Sequence, residues 1–356
     1  MFGSGVLRRL LVLSNLMKEP VDVPTHFLSL AGLILVCVFK PATAEDRSLR
    51  ENPALAAWFE SEVERIEAGN DLTRYNSLAE WENDRPRLRN ELFDMLGLEP
   101  RPERTPLQAA TTGTTVSNEF VVERVHFQSM PGLHVTGDLY LPKTITEPLP
   151  TILYLCGHGG VKKYGVSFGN KVHYQHHGEW FARNGYACLT IDSLQLGEIE
   201  AIHHGTYKFN RWWWNSRGYT PAGVEAWNCI RALDYLETRP EVVAKRFGVT
   251  GRSGGGAYSW WIAALDDRIQ CAVPVAGITS LRDHVVNGCV EGHCDCMYMV
   301  NRFRWFNRFL KNDQSMITTT AVPLLEPEDL KVFPQLPSDE LNTRIDEVFV
   351  TTAAIS

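Results

Sequence analysis

The sequence predicts an α/β fold on a mostly parallel sheet with helices on both faces, and three observations carry that prediction. From Pro150 onward, apolar runs of strand length alternate with helix-length segments, the pattern that βαβ crossovers produce. A G-x-S-x-G sequence, Gly251-Arg252-Ser253-Gly254-Gly255, follows one such run and opens a helix-like segment. A second glycine loop, Gly157-His158-Gly159-Gly160, follows the first run. With 356 residues, 44% hydrophobic and 22% charged, the chain has apolar material for one large core or two modest ones, and is neither disordered nor polytopic.

Residues 1–44 read as a signal peptide. The apolar stretch Phe27 to Phe39 is too short for a comfortable membrane span, and Ala42-Thr43-Ala44 supplies small residues for cleavage before Glu45-Asp46. The basic flank is Lys18, or Arg8 and Arg9; Met17-Lys18 is an alternative start, and an uncleaved anchor helix is the competing reading. Cleavage implies an exported protein, periplasmic or extracellular, with no stable membrane span afterwards.

Residues 45–118 form a helical preamble and linker. Leu55, Trp58, Phe59, Val63 and Ile66 recur at helical spacing, and Trp81 to Leu96 repeats the pattern before Pro100 and Pro102. Residues 103–118 are polar and threonine-rich and read as a connection. Phe120 to Phe127 and His134 to Leu141 then alternate in strand fashion around Pro131-Gly132, a hairpin expected at one sheet edge. The α/β alternation follows: strand Ile152 to Cys156, helix His173 to Arg183, strand Ala187 to Ile191, helix Pro221 to Thr238, strand Phe247 to Thr250 and strand Cys271 to Ala276. Trp260 and Trp261, on the helix after Ser253, are expected in the core. This domain spans 119–311, and 312–356 is a polar, proline-containing tail.

Removal of Cys37 with the signal leaves seven cysteines, which cannot all pair within one chain. Cys156, Cys188 and Cys271 lie in apolar runs and read as inert core thiols. Cys289, Cys294 and Cys296, with His293 among them, lack the two-residue gap of common zinc knuckles, so a local disulfide or buried thiols is preferred to a metal site. No metal and no cofactor is expected. The net charge of -7 argues against a nucleic-acid partner, which relies on clustered Lys and Arg.

At Gly251 to Gly256 the chemistry is specific. A serine on a tight strand-to-helix turn needs neighbours without bulky side chains, and the helix that follows aims its first amides at the reacting centre. Gly254 N–H is therefore one oxyanion donor. The loop after the first parallel strand should supply the second, which places Gly159 there.

From about Phe120 to Gly277 the chain resembles the α/β-hydrolases, closest to the exported acetyl xylan esterase and dienelactone-hydrolase-like branch. The match is carried by Cys156-Gly157-His158-Gly159-Gly160, Asp192 with Gly197-Glu198, Gly223-Val224-Glu225-Ala226-Trp227, Val249-Thr250-Gly251-Arg252-Ser253-Gly254-Gly255-Gly256 and Gly292-His293-Cys294-Asp295-Cys296-Met297-Tyr298. The resemblance implies a small-molecule or polysaccharide ester substrate, attack by Ser253 and an acyl-enzyme released by water. It also implies that His158, His176-His177 and His203-His204 shape the pocket.

The family places a catalytic acid and then a histidine after further strands. Here Asn301 to Trp305 runs straight into the amphipathic Phe306 to Lys311, and residues 312–356 contain no histidine. Two strands, with the acid and base they carry, are therefore expected to be missing near Trp305-Phe306, leaving the domain incomplete on its C-terminal side. Only His284 and His293 lie beyond Ser253, and they are weak candidates for the base. Two functions follow: a serine esterase of acetylated carbohydrate, or a catalytically impaired relative, either an internal deletion or a carbohydrate-binding pseudoenzyme. Trp212-Trp213-Trp214, in the insertion before Pro221, either stacks on sugar rings, with Trp213 lining the pocket, or packs the preamble onto the core.

Overall fold

The computed structural model describes residues 52–70, 72–211, 213–277, 280–287, 310–313 and 324–349. The signal segment, Trp212, Cys289, His293, Cys294, Cys296 and the Trp305-Phe306 junction lie outside them. The chain divides into two units, Met1–Trp58 and Phe59–Ser356; of the first, only residues 52–58 are described.

Helix α1 (Pro53–Asn70) begins where the Asn52 side chain accepts from the amides of Ala54 and Leu55. Its apolar spacing is helical as expected, yet only Val63 is buried and Trp58, Phe59 and Ile66 remain exposed. Helix α2 (Leu78–Met95) is capped by Ser77, whose hydroxyl accepts from the Glu80 amide at 3.2 Å. Phe93, followed by Leu96 and Leu98, carries the end of this helix into the core.

Strands β1 (Ala110–Val116), β2 (Phe120–Met130) and β3 (Leu133–Pro142) form an antiparallel meander. β1 corrects the reading of 103–118 as a connection. Its sequence, ATTGTTV, has the β-branched residues of a strand but no apolar alternation, because it is an edge strand exposed along most of its length. The β2–β3 turn works as expected: Gly132 takes φ 78°, and its amide donates to Gln128 Oε1 at 2.9 Å.

Strand β4 (Leu149–Leu155) is the first parallel strand; a two-stranded ribbon, β5 (Lys162–Lys163) and β6 (Val166–Ser167), and helix α3 (Gln175–Arg183) follow it. Next come β7 (Ala187–Ile191), the short helices α4 (Gly205–Phe209) and α5 (Trp213–Ser216), the long α6 (Pro221–Glu237), β8 (Val242–Arg252), α7 (Gly254–Leu265), β9 (Ile269–Val275) and α8 (Leu281–Val285). The sheet order is β1-β2-β3-β7-β4-β8-β9, with β7, β4, β8 and β9 parallel and the meander at one edge.

Side chains alternate across this sheet as strand geometry requires. Leu149, Leu153 and Leu155 of β4 enter the core shared with α6 and α7, whereas Ile152, Tyr154 and Cys156 enter the opposite one with Trp180 and Phe181 of α3. Helices thus cover both faces. Cys156, Cys188, Cys229 and Cys271 are buried, and burial pushes Cys156 and Cys229 well above the ordinary thiol range. Trp260 departs from expectation: it is 46% exposed, while Trp261 packs against the core. Their adjacent positions on α7 point different ways, so one helix face cannot bury both.

The C-terminal segment binds the meander. The hydroxyls of Thr112 and Thr115 donate to the carbonyls of Val332 and Asp329, and the Asn342 side chain exchanges hydrogen bonds with the His134 backbone. Leu330, Val332, Phe333 and, in the short helix α9 (Ile345–Val348), Ile345 are buried there. Among the described residues β9 is the outermost strand at the other edge.

Candidate active site

The sheet changes direction of growth at β4: the chain places β7 on one side of it and then β8 on the other. Loops leaving the carboxyl ends of β4 and β8 therefore meet at a topological switch point, where crevices form in open α/β sheets. Ser253 sits there, between the last residue of β8 and the first of α7.

Ser253 takes φ 57° and ψ -120°, a conformation that L-residues rarely adopt and that costs on the order of 1–3 kcal/mol. The surroundings hold it. Its amide donates to Val275 O at 2.8 Å, and its carbonyl accepts from Ala257 N at 3.0 Å. A Cβ on Gly255 would lie 1.9 Å from Leu155 O, and one on Gly251 would lie 2.3 Å from the same oxygen. The glycines of the motif are thus required by the close approach of β4's carboxyl end to the turn.

The other glycine loop lies against this turn. A Cβ on Gly157 would stand 2.0 Å from Arg252 O and 3.3 Å from Ser253 Cβ, so the loop passes directly beside the serine. A Cβ on Gly254 would be 3.9 Å from His158 Nδ1. Of the residues expected at the site, Ser253, Gly254 and His158 are therefore together, with Gly159 one residue further along the loop beside the His173 ring. Two residues not singled out from the sequence fix this loop. Asn170 Nδ2 donates to Gly157 O at 2.9 Å, and Tyr174 Oη donates to His158 O at 3.1 Å.

Asn170 is held by Ser193, whose hydroxyl accepts from Nδ2 and whose amide donates to Oδ1, and both residues adjoin a buried ionic network in sequence. Lys171 Nζ donates to Asp192 at 2.9 Å and to Glu198 at 2.7 Å, and Asp192 also accepts from the Lys171 amide and Thr136 Oγ1. Glu198 further accepts from Lys331 Nζ and from the amides of Val332 and Phe333. Burial works to lower the Lys171 ammonium, but Asp192, Glu198 and Asp138 together hold it above its ordinary range. Burial likewise works to raise the Glu198 carboxyl, and Lys171, Lys331 and the Val332 amide hold it below. Asp192 and Glu198, which the sequence places among the family's residues, thus serve the scaffold beneath the loop.

Three imidazoles gather above it. His158 Nε2 lies 3.0 Å from His203 Nε2, and the rings of His203 and His204 stack with centroids 3.6 Å apart. Burial, with His204 and His158 beside it, lowers His203 to about 4. The ligand atoms of all three lie within 4.8 Å of one another. His176 and His177 fall inside α3, within the helix expected over His173 to Arg183, and His177 is buried against the Tyr154 ring.

The tryptophan insertion divides its roles. Trp214 is buried, and its indole donates to Asp346 at 3.1 Å, so it packs against the C-terminal segment; Trp213 is 38% exposed with the Arg217 guanidinium over its ring. His284 lies on α8, and His293 lies outside the described residues. A cavity of about 800 Å³ lined by Leu149, Val242, Arg246 and Lys311 lies at the amino ends of β4 and β8, the far end of the strands from Ser253.

Known proteins extend this picture. The family model described as "Acetyl xylan esterase (AXE1)" matches residues 106–319. A Bacillus subtilis (strain 168) protein named "Putative hydrolase YtaP" is 27% identical over 195 residues, covering 52% of this chain and 62% of that protein. Among solved structures, "Methylesterase BT1017" is similar at 22% identity and TM-score 0.47, covering 67% of this chain and 51% of that one. "Acetyl xylan esterase from Paenibacillus sp. R4" is similar at 22% identity and TM-score 0.42, covering 64% and 68% respectively. The chain thus covers less than two thirds of the Bacillus protein and about half of the methylesterase.

Proposed function

The chain belongs to the acetyl xylan esterase family, and on that premise we propose that it is a serine esterase of carboxylic esters, with acetylated carbohydrate as its substrate. Ser253 Oγ forms a bond to the acyl carbon while its proton passes to a base. The ester C–O bond then breaks, and the alcohol leaves with a proton. Water attacks the acyl-enzyme, releases the acid and restores the serine. The amides of Gly254 and Gly159 receive the developing oxyanion, and His158 and Trp213 line the substrate side. The observation that carries this reading is the strained backbone of Ser253 at a strand-to-helix turn, with the Gly157 loop packed against it. Strain of this kind persists where the surroundings enforce it, as at a nucleophile.

In this reading residues 1–44 direct export, 45–118 brace the domain at 119–311, and 312–356 close its meander edge. His284 and His293 are the bases to be tested. A second reading, a catalytically impaired relative lacking two strands, is favoured by β9: its sequence, IQCAVPV, is that of a buried strand, yet most of its residues remain partly or fully accessible.

Hydrolysis of p-nitrophenyl acetate by the full chain and by Ser253→Ala, followed from pH 5 to 9, tests the proposal. A serine-dependent rate with a histidine-like pH limb is expected from an esterase, with loss of that limb in His284→Ala or His293→Ala naming the base. Equal rates in the two proteins would establish the impaired relative instead.

A further inference from the structure

His158, His203 and His204 come from two loops, one leaving β4 and one leaving β7, and they are 45 residues apart in sequence. Adjacent residues in extended chain point to opposite sides. His204 instead adopts a left-handed backbone, φ 61°, which brings its ring onto the same side as that of His203. The His158 ring completes the group, lying 5.0 Å from the His203 centroid and 5.9 Å from that of His204. Three imidazoles with convergent nitrogens, two of them within hydrogen-bond distance, and a left-handed backbone at the third make a nitrogen-donor cluster that packing alone does not require.

We propose that His158, His203 and His204 form a binding site for a divalent transition metal, with zinc the fitting ion, at the mouth of the crevice beside Ser253. Two nitrogens on one tetrahedral zinc stand about 3.3 Å apart, given Zn–N bonds of roughly 2.0–2.1 Å. The 3.0 Å between His158 and His203 is close to that span, and all three ligand atoms already lie within 4.8 Å. An all-imidazole donor set selects zinc, copper or nickel over calcium and magnesium, which take oxygen. Three protein ligands leave a fourth position for water.

The backbone that presents these ligands is held in place. Tyr174 Oη donates to the His158 carbonyl, Asn170 fixes the preceding Gly157 carbonyl, and the Ala201 amide donates to Leu194 O at 3.0 Å. A bound ion would tie the loop after β4 to the loop after β7, and so tie the oxyanion loop to the insertion that carries Trp213. This site is independent of whether Ser253 turns over.

Untagged full-length chain, stripped with chelator, is titrated with zinc by calorimetry and with cobalt by visible absorption. The expected result is one tight site per chain with the intense visible bands of four-coordinate cobalt, weakened tenfold or more by His203→Ala and by His158→Ala and unchanged by His176→Gln. Absence of saturable binding overturns the proposal, as does binding that these substitutions leave intact. Should an alanine variant fail to fold, X-ray absorption of the zinc-loaded wild type decides the matter alone. A shell with three imidazoles supports the site, whereas sulfur ligands would put the ion at Cys289, Cys294 and Cys296 and overturn it.

Discussion

The two edges of the sheet were built by opposite means. At the meander edge, β1 is polar and threonine-rich, and the C-terminal segment lies across it, with Thr112 and Thr115 donating to carbonyls of that segment. At the other edge, β9 is apolar, half accessible and outermost among the described residues. A polar edge strand can stand in water, as β1 does along most of its length while two of its hydroxyls hold that segment; an apolar one asks for a neighbour. The nucleophile turn leans on the second edge, through the Ser253 amide and Val275 O. The lesson is that the scaffold beneath the oxyanion loop is closed by contacts far away in sequence, while the nucleophile depends on the less protected strand.

The largest expected effect breaks the closed edge. Glu198→Ala would strip Lys171 and Lys331 of a partner and leave the amides of Val332 and Phe333 unsatisfied, so a loss of about 3–5 kcal/mol is expected by urea unfolding. A loss below about 1 kcal/mol would show that water reaches the network. Next, Gly255→Ala probes the nucleophile side. Its Cβ meets the Leu155 carbonyl, a backbone atom that can yield only if β4 moves, and about 1–3 kcal/mol of stability is expected to go together with any Ser253-dependent hydrolysis. Unchanged stability would mean that β4 and β8 are looser there than their register implies.

Between the edges, Glu225 on α6 provides a pH reading. It is buried, accepts from the Leu194 amide at 2.6 Å, and burial pushes it up to about 8. A carboxyl whose folded value lies above its unfolded one holds its proton more tightly when folded. Its stabilising contribution is therefore complete below about pH 4.5 and is lost as pH rises towards 8. Glu225→Gln should flatten the fall of Tm across that window, and an unaltered slope would assign the proton uptake elsewhere. The smallest thermodynamic effect is expected at β9: Gln270→Lys, on an exposed position, should change stability by no more than about 0.5 kcal/mol. It should nonetheless reduce self-association in light scattering, and a wild-type chain that is already monomeric with a sharp cooperative melt would remove the case for an open edge.

Much of this was legible because local pattern and final environment agree. The strands at Ile152, Ala187 and Phe247 are buried on both faces and read as apolar runs, and Gly251 to Gly256 announces the turn at Ser253 because the backbone there admits no Cβ. β1 was hidden because its pairing with β2, and not its own burial, makes it a strand. The imidazole group was hidden because two loops bring it together across 45 residues. Asn170 and Tyr174 gave no signal either; each is an ordinary polar residue until Gly157 and His158 fold against it. The glutamate in Gly197-Glu198 was noticed only through a resemblance, and its partners at 331–333 lie in a segment whose composition suggests little structure.

That last feature bears on how the protein is made. A ribosome delivers Lys171, Asp192 and Glu198 well before Lys331, Val332 and Phe333, so during synthesis Glu198 lacks three of its donors and the meander lacks its cover. A chain broken off in that interval would keep its nucleophile turn while carrying an undercompensated charge in its interior. Proteases would meet it in a loosened state, and the finished polypeptide would be the form that survives.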